Sequence, residues 1–165
     1  MLITDPLITI LVLILFANAA PVLLQTFFNN SWLATPIDHD YHFIDGKPLL
    51  GKTKTWRGLL GSLLLTTLLA LALKITWTDG FMIALLAMSG DLSSSFIKRR
   101  MGLVSSKMAP GLDQFPESGF PLLYASQIMM LFNLQEVLTG MLLFLLLELF
   151  LSRIFFYLGV RKRPY

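Results

Sequence analysis

The chain has 165 residues, 55% of them hydrophobic and 14% charged, with a mean hydropathy of +0.70. A soluble domain carries about 25% charged residues, so this composition excludes one and implies an integral membrane protein in a single domain, residues 1–165. The absence of cysteine excludes a disulfide framework and a thiolate metal site, and the net charge of +3 matters less than where the charges fall.

Leu7 to Phe28 carries no charged residue and is long enough to span, at about 20 residues per crossing. Asp5 and Pro6 suit its N-terminal end. Ala17-Asn18-Ala19 mimics a signal cleavage site, yet no basic residue precedes it, so the helix is read as retained. Pro21 should kink this helix and free the carbonyl of Ala17. Asn18 is read as a helix–helix hydrogen-bonding group or as a polar group at the mouth of a cavity.

Residues 29–57 form a polar loop with Asp38, His39, Asp40, His42 and Asp45, then Lys47, Lys52, Lys54 and Arg57. Gly46 to Thr53 matches the P-loop spacing formally. We reject it, because a P-loop follows a buried strand and Pro48 removes a backbone N–H from the cradle. His39 and His42 lack an evident third ligand for zinc.

Four further spans follow: Gly58 to Trp77, Gly80 to Ile97, Gly119 to about Leu134, and Val137 to Leu158. The fold class is therefore all-α with five transmembrane helices. Eleven of the thirteen lysines and arginines fall in loop 29–57, in the loop after the third span and in the tail Arg161-Lys162-Arg163. The positive-inside rule places these on the cytoplasmic face of the cell membrane. The N-terminus is then outside and the C-terminus cytoplasmic.

The third span contains Asp91 and leaves the membrane through Lys98-Arg99-Arg100. At 1.5 Å per residue, Asp91 lies about 10 Å below that basic rim. A charged aspartate at mid-membrane costs about 2.5–3.5 kcal/mol, so Lys98, a metal ion or a water-filled cleft must offset it. A purely structural Asp–Lys or Asp–Arg pair is the plain alternative. Asp113 follows in a short loop, and the two carboxylates can meet if that loop folds back. Magnesium needs only one or two carboxylates beside waters and phosphates. Lys54-Thr55-Trp56-Arg57-Gly58 opens the second helix, where helix N–H groups, Lys54, Thr55 and Arg57 can converge on an anion. Glu148 and Arg153, five apart in the fifth span, are read as packing or snorkelling residues.

The stretch Gly90 to Gln114, GDLSSSFIKRRMGLVSSKMAPGLDQ, resembles the signature of the CDP-archaeol synthases, membrane cytidylyltransferases related to the CDP-diacylglycerol synthases. Ala17-Asn18-Ala19-Ala20-Pro21-Val22, Asp45-Gly46-Lys47 and Gly51 to Gly58 are similar to theirs as well. The diacylglycerol enzymes carry a longer loop with Gly-His-Gly-Gly before the second aspartate and an arginine after it. This chain has Ala109-Pro110-Gly111-Leu112 and Gln114, which favours the archaeol branch. The resemblance implies magnesium-dependent transfer of CMP from CTP onto a lipid phosphate, archaetidic or phosphatidic in type, with pyrophosphate leaving. By motif, Asp91 and Asp113 are implied as catalytic metal ligands and Lys98 as catalytic. Lys54, Thr55, Arg57 and Arg99 are implied as nucleotide or phosphate contacts. No nucleic-acid partner is expected, and a homo-oligomer is left open. The rival reading is a small transporter or lipid-binding protein with a midplane ion site.

Overall fold

A computed structural model describes residues 5–27, 33–104 and 109–159 of the protein. Lys107, Arg161, Lys162 and Arg163 of the orientation argument lie outside the described residues. The described chain is all-helical: α1 Pro6–Phe27, α2 Trp56–Ala72, α3 Trp77–Arg100, α4 Gln114–Gln127 and α5 Leu134–Tyr157. Among the described residues, α1, α3 and α5 are long and apolar enough to cross a membrane. At 17 and 14 residues, α2 and α4 are shorter than the length about 20 residues give.

The expected boundaries shift where caps overrule hydropathy. Helix α1 begins as expected, with the Leu7 N–H donating to Asp5 Oδ1 at 2.8 Å. Helix α2 stops at Ala72 instead of Trp77, because Lys74 turns left-handed at φ 64° and the Ile75 N–H closes onto the Ala70 carbonyl at 2.9 Å. Helix α3 starts three residues before Gly80, capped by the Thr76 hydroxyl, which accepts from the Asp79 N–H. The largest correction concerns the fourth helix. It starts at Gln114, not Gly119, and ends at Gln127, not Leu134. Asn133 and Glu136 form a reciprocal capping box that starts α5 at Leu134. The connection before it is tied back by Ser126 Oγ, which donates to the Phe132 carbonyl at 2.8 Å.

Helix α3 packs on α1, α2 and α4, and α5 lies against α4 and α1. The core joins Ile10, Leu13 and Ile14 of α1, Ile83, Ala87 and Met88 of α3, Leu122 of α4 and Phe144 of α5. Without a hydrophobic drive between helices in lipid, close backbone approach has to supply much of the association. Two contacts show this. A Cβ on Gly58 would sit 3.0 Å from Pro21 Cβ, so α2 lies directly on Pro21 of α1. There Ser62 Oγ donates to the Ala17 carbonyl at 2.7 Å, the group that Pro21 was expected to free. A Cβ on Gly90 would sit 2.3 Å from the Pro116 carbonyl oxygen, so the first turn of α4 is pressed against α3 beside Asp91.

Candidate functional site

The polar loop is built, not loose. Its two ends run antiparallel, with the Ile37 N–H donating to the Lys54 carbonyl at 2.8 Å and the Arg57 N–H to Leu33 at 2.8 Å. Its middle turns back on itself through Phe43 N–H to Lys47 O, at 2.8 Å, and Leu49 N–H to Tyr41 O, at 2.9 Å. Asp38 is the buried hub. Its carboxylate accepts from the N–H groups of Leu50 at 2.8 Å, Gly51 at 2.9 Å and Asp40 at 3.2 Å. Burial works against its charge, but these three N–H groups outweigh burial and hold the carboxyl below its ordinary value. The segment that matches the P-loop spacing is thus a turn wrapped on Asp38, with no strand before it among the described residues.

Arg100 fastens this loop to the end of α3. Its guanidinium pairs with Asp45 and donates to the Pro48 carbonyl. It stacks 4.9 Å from the Phe43 ring and 5.0 Å from the Phe96 ring. Lys47 Nζ in turn donates to the Arg100 carbonyl at 2.7 Å, placing a cation at the negative end of the α3 dipole.

So anchored, the loop delivers Lys54 to Asp91. Lys54 Nζ lies 2.6 Å from both Asp91 carboxylate oxygens. Lys98, one of the three groups that could offset Asp91, instead pairs with Asp113 at 2.6 Å. The reason is the helix face: Ser94, Ser95, Lys98 and Arg99 are buried towards α4, whose N-terminal end presents Asp113. The Asp113 carboxylate is further held by the Ala109 N–H at 3.0 Å, which closes the 109–113 turn, and its pairing with Lys98 brings that turn against α3. The two pairs feel each other, since Lys54 also responds to Asp113 and Asp91 to Lys98. Burial opposes the charge of Lys54, yet the adjoining Asp91 carboxylate prevails and raises its pKa above the ordinary value.

The remaining expected residues fall around this cluster. Thr55 caps α2, its hydroxyl accepting from the Gly58 N–H at 3.2 Å. Arg57 stands in the first turn of the same helix. Arg99 is buried with its Nε unpartnered by hydrogen bonds among the described residues, and it lies in the field of Asp113. Asn18 Nδ2 is likewise buried without a hydrogen-bond partner among the described residues, so that atom makes no helix–helix bond.

Sequence reasoning missed Glu117. It is buried on α4, its carboxyl shares a hydrogen bond with that of Asp91, and it feels Glu148 of α5. The signal was its spacing: Glu117 lies four residues after Asp113, hence on the same helix face once α4 begins at Gln114. Glu148 is therefore electrostatically linked to the site across α4, beyond the packing role expected of it.

Magnesium, which the resemblance implies, suits the donors present. Asp91 and Asp113 supply hard carboxylate oxygens from two elements, and Lys54 and Lys98 hold the positive charge against those oxygens in this structure. A small cleft of about 50 Å³ opens beside Lys54, Thr55 and Asp91, with Pro21 of α1, Gly58 of α2 and Met88 of α3 completing a largely apolar lining.

Comparison with known proteins gives a consistent answer. The family model described as CarS-like CDP-archaeol synthase matches residues 5–165. A CDP-archaeol synthase of Hyperthermus butylicus is 43% identical over 66% of this chain and 66% of its own length. That of Pyrococcus furiosus is 39% identical over 61% of this chain and 62% of its own length, so these two matches span just under two thirds of each relative. The Staphylothermus marinus relative is 32% identical over 90% of this chain and 86% of its own length. A solved structure, described as an intramembrane enzyme for archaeal membrane lipids biosynthesis, superposes with a TM-score of 0.70. It is 30% identical and covers 86% of this chain and 89% of that one. Fold, motifs and relatives agree that the chain belongs to the CDP-archaeol synthase family.

Proposed function

We propose that this protein is a CTP-dependent cytidylyltransferase acting as one membrane domain. It transfers CMP to a membrane lipid phosphate, archaetidic or phosphatidic in type, and releases pyrophosphate. The observation that carries the reading is the pair of lysine–carboxylate contacts, Lys54–Asp91, half-buried, and Lys98–Asp113, buried, at the seam between the loop and the ends of α3 and α4. All four residues lie in the stretches by which this chain resembles the family. Distances of 2.6 Å and mutual electrostatic influence make them one cluster.

The reaction requires an oxygen of the lipid phosphate to attack the α-phosphorus of CTP, while the bond to the β-phosphate oxygen breaks opposite. The lipid phosphate is already anionic, so no strong base is needed. Lys54, Lys98 and Arg99 are placed to neutralise phosphate charge, and Arg57 at the start of α2 adds a further cation beside helix N–H groups. Asp91 and Asp113 would hold magnesium, which supplies charge neutralisation on the triphosphate. Fixed by Arg100 and Asp38, the loop serves to orient Lys54, which is the kind of positioning this chemistry rewards. In the membrane we place the N-terminus outside, five crossings, and the site and C-terminus at the cytoplasmic face of the cell membrane, as the distribution of basic residues favours.

The test is incorporation of labelled CMP from CTP into lipid, using the full chain in detergent with archaetidic and phosphatidic acids. Transfer to either supports the reading. No transfer to any lipid phosphate, from protein that binds CTP and is folded, overturns it.

A further inference from the structure

The loop that delivers Lys54 wears apolar side chains on its outside. Ile44, in the 43–47 turn, is 95% exposed, and Tyr41 just before that turn is 66% exposed. Turns that face water are ordinarily built of glycine, proline, asparagine, aspartate and serine. Here the charges beside the tip are engaged within the protein: Asp45 pairs with Arg100, and Lys47 Nζ donates to the Arg100 carbonyl. What the tip offers outward is an isoleucine and a tyrosine.

The position of the hairpin along α3 accounts for this. Phe43 meets the Phe96 ring edge-on at 5.4 Å. Phe96 lies four residues, about 6 Å at 1.5 Å per residue, inside the Arg100 end of a helix long and apolar enough to cross a membrane. The hairpin therefore sits on the flank of that helix at the height of its last turns. A second segment exposes apolar side chains at the same end: Met101 and Val104, where the chain leaves α3, are 63% and 64% exposed. Lys47 ties the two segments together, since a Cβ on Gly102 would lie 3.9 Å from the same Nζ that holds the Arg100 carbonyl. The backbone suits such a place as well. Close to lipid, N–H groups have to be bonded inside the protein. Those of Phe43, Gly46, Lys47, Leu49, Leu50 and Gly51 all donate to oxygen atoms of the loop itself.

We propose that the hairpin 41–49 is an interfacial anchor, whose Ile44 and Tyr41 enter the head-group region of the bilayer that α3 crosses, beside Met101 and Val104. The partner is the lipid surface itself, whatever its head-group charge, because the contact is apolar and the neighbouring charges are already engaged. A tyrosine suits that depth, with an apolar ring and a polar tip. The loop that carries Lys54 is then held from two sides, by Arg100 within the protein and by the membrane outside it. The inference is independent of the reaction that the site performs.

Two measurements test it on the full chain in phosphatidylcholine vesicles. The sequence has no cysteine, so Ile44→Cys and Met101→Cys each give a single site for a spin label. Both labels should collide more with lipid-soluble oxygen than with a water-soluble nickel chelate, as a label at the exposed Leu64 of α2 does. High salt should leave that preference unchanged, because an apolar contact is not screened. Preference for the nickel chelate at either position, or loss of the oxygen preference in high salt, overturns the proposal. A label at Ile44 shielded from both reagents also overturns it, in favour of a protein covering the tip. Second, Ile44→Asp should quicken amide exchange at Phe43 and Leu49 several-fold, whereas Ile44→Leu should leave it as in the native chain. Equal exchange in the native chain and Ile44→Asp would show that the bilayer does not hold the hairpin.

Discussion

Lys54 and Asp91, separated by 37 positions, meet with one ammonium nitrogen 2.6 Å from both oxygens of one carboxylate. The two partners are not equivalent. Asp91 is fixed on a helix inside the bundle, whereas Lys54 hangs from a loop on a flexible four-carbon stem. Lys54→Met should therefore destabilise by on the order of 1–3 kcal/mol, because it strands a half-buried carboxylate. Asp91→Asn should cost distinctly less, since the freed lysine can swing towards water. Thermal unfolding in detergent, read side by side for the two variants and for the double replacement, checks the asymmetry. Equal losses would mean that the lysine is as trapped as the acid.

If Asp91 and Asp113 act as one phosphate-organising unit, Asp91→Asn and Asp113→Asn should each abolish CMP transfer. The double variant should be little worse than either single one, because residues acting together are not additive. Stabilisation of the protein by magnesium plus CTP, followed by melting temperature, should vanish in both. Retention of that stabilisation in either variant would remove its carboxylate from the site.

Gly90 should be intolerant even of alanine. A Cβ there would lie 2.3 Å from the Pro116 carbonyl oxygen and 2.6 Å from the Glu117 nitrogen, both backbone atoms that cannot rotate aside. Gly90→Ala should cost about 1–3 kcal/mol through overpacking and should lower activity further by parting α3 from α4. Gly119→Ala is the control, since its Cβ would meet only the end of Met141 at 3.2 Å, a side chain that can move. A similar melting temperature for the two variants would show that the α3–α4 contact yields more easily than its geometry implies.

The loop should resist acid. The pKa of Asp38 is lowered from an ordinary 3.8 because the N–H groups of Gly51, Leu50 and Asp40 outweigh its burial. A carboxyl with a depressed folded value contributes stability above its unfolded pKa and loses it as pH falls through the folded value. Amide exchange at Leu50 and Gly51 should thus stay slow from neutrality down to about pH 4, and quicken only below that. Asp38→Asn should make both amides exchange faster even at pH 7. Slow exchange in that variant would show that other contacts hold the 49–51 segment.

Much of the site was legible because charge inside apolar sequence is so costly. Asp91 stood out for that reason alone, and the 109–113 turn does fold back over α3. The pairing was not legible. Lys98, seven residues along the same helix, was one of three possible offsets for Asp91, beside a metal ion and a water-filled cleft, but Lys98 pairs with Asp113 and the partner of Asp91 arrives from a loop two elements earlier. That depends on Arg100, Phe43 and Asp38 folding the loop, and none of these carries a periodic signal. Glu117 was missed through a boundary: hydropathy placed the start of the fourth helix at Gly119, whereas the chain begins it beside Asp113. Hydropathy reports where lipid lies, whereas Gln114 and Glu117 in the first turn of α4 are polar residues buried in protein.

The order of the charges along the chain has a consequence for biosynthesis. In both pairs of the cluster the lysine precedes its carboxylate, Lys54 before Asp91 and Lys98 before Asp113. Chains are made from the N-terminus, so each cation exists before the acid that needs it. When α3 carries Asp91 into the bilayer, at a cost of about 2.5–3.5 kcal/mol if unaided, its counter-charge has already been made, and the loop that holds Lys54 can be fastened as soon as Arg100 follows at the end of the same helix. The Lys54–Asp91 pair therefore waits for no later segment.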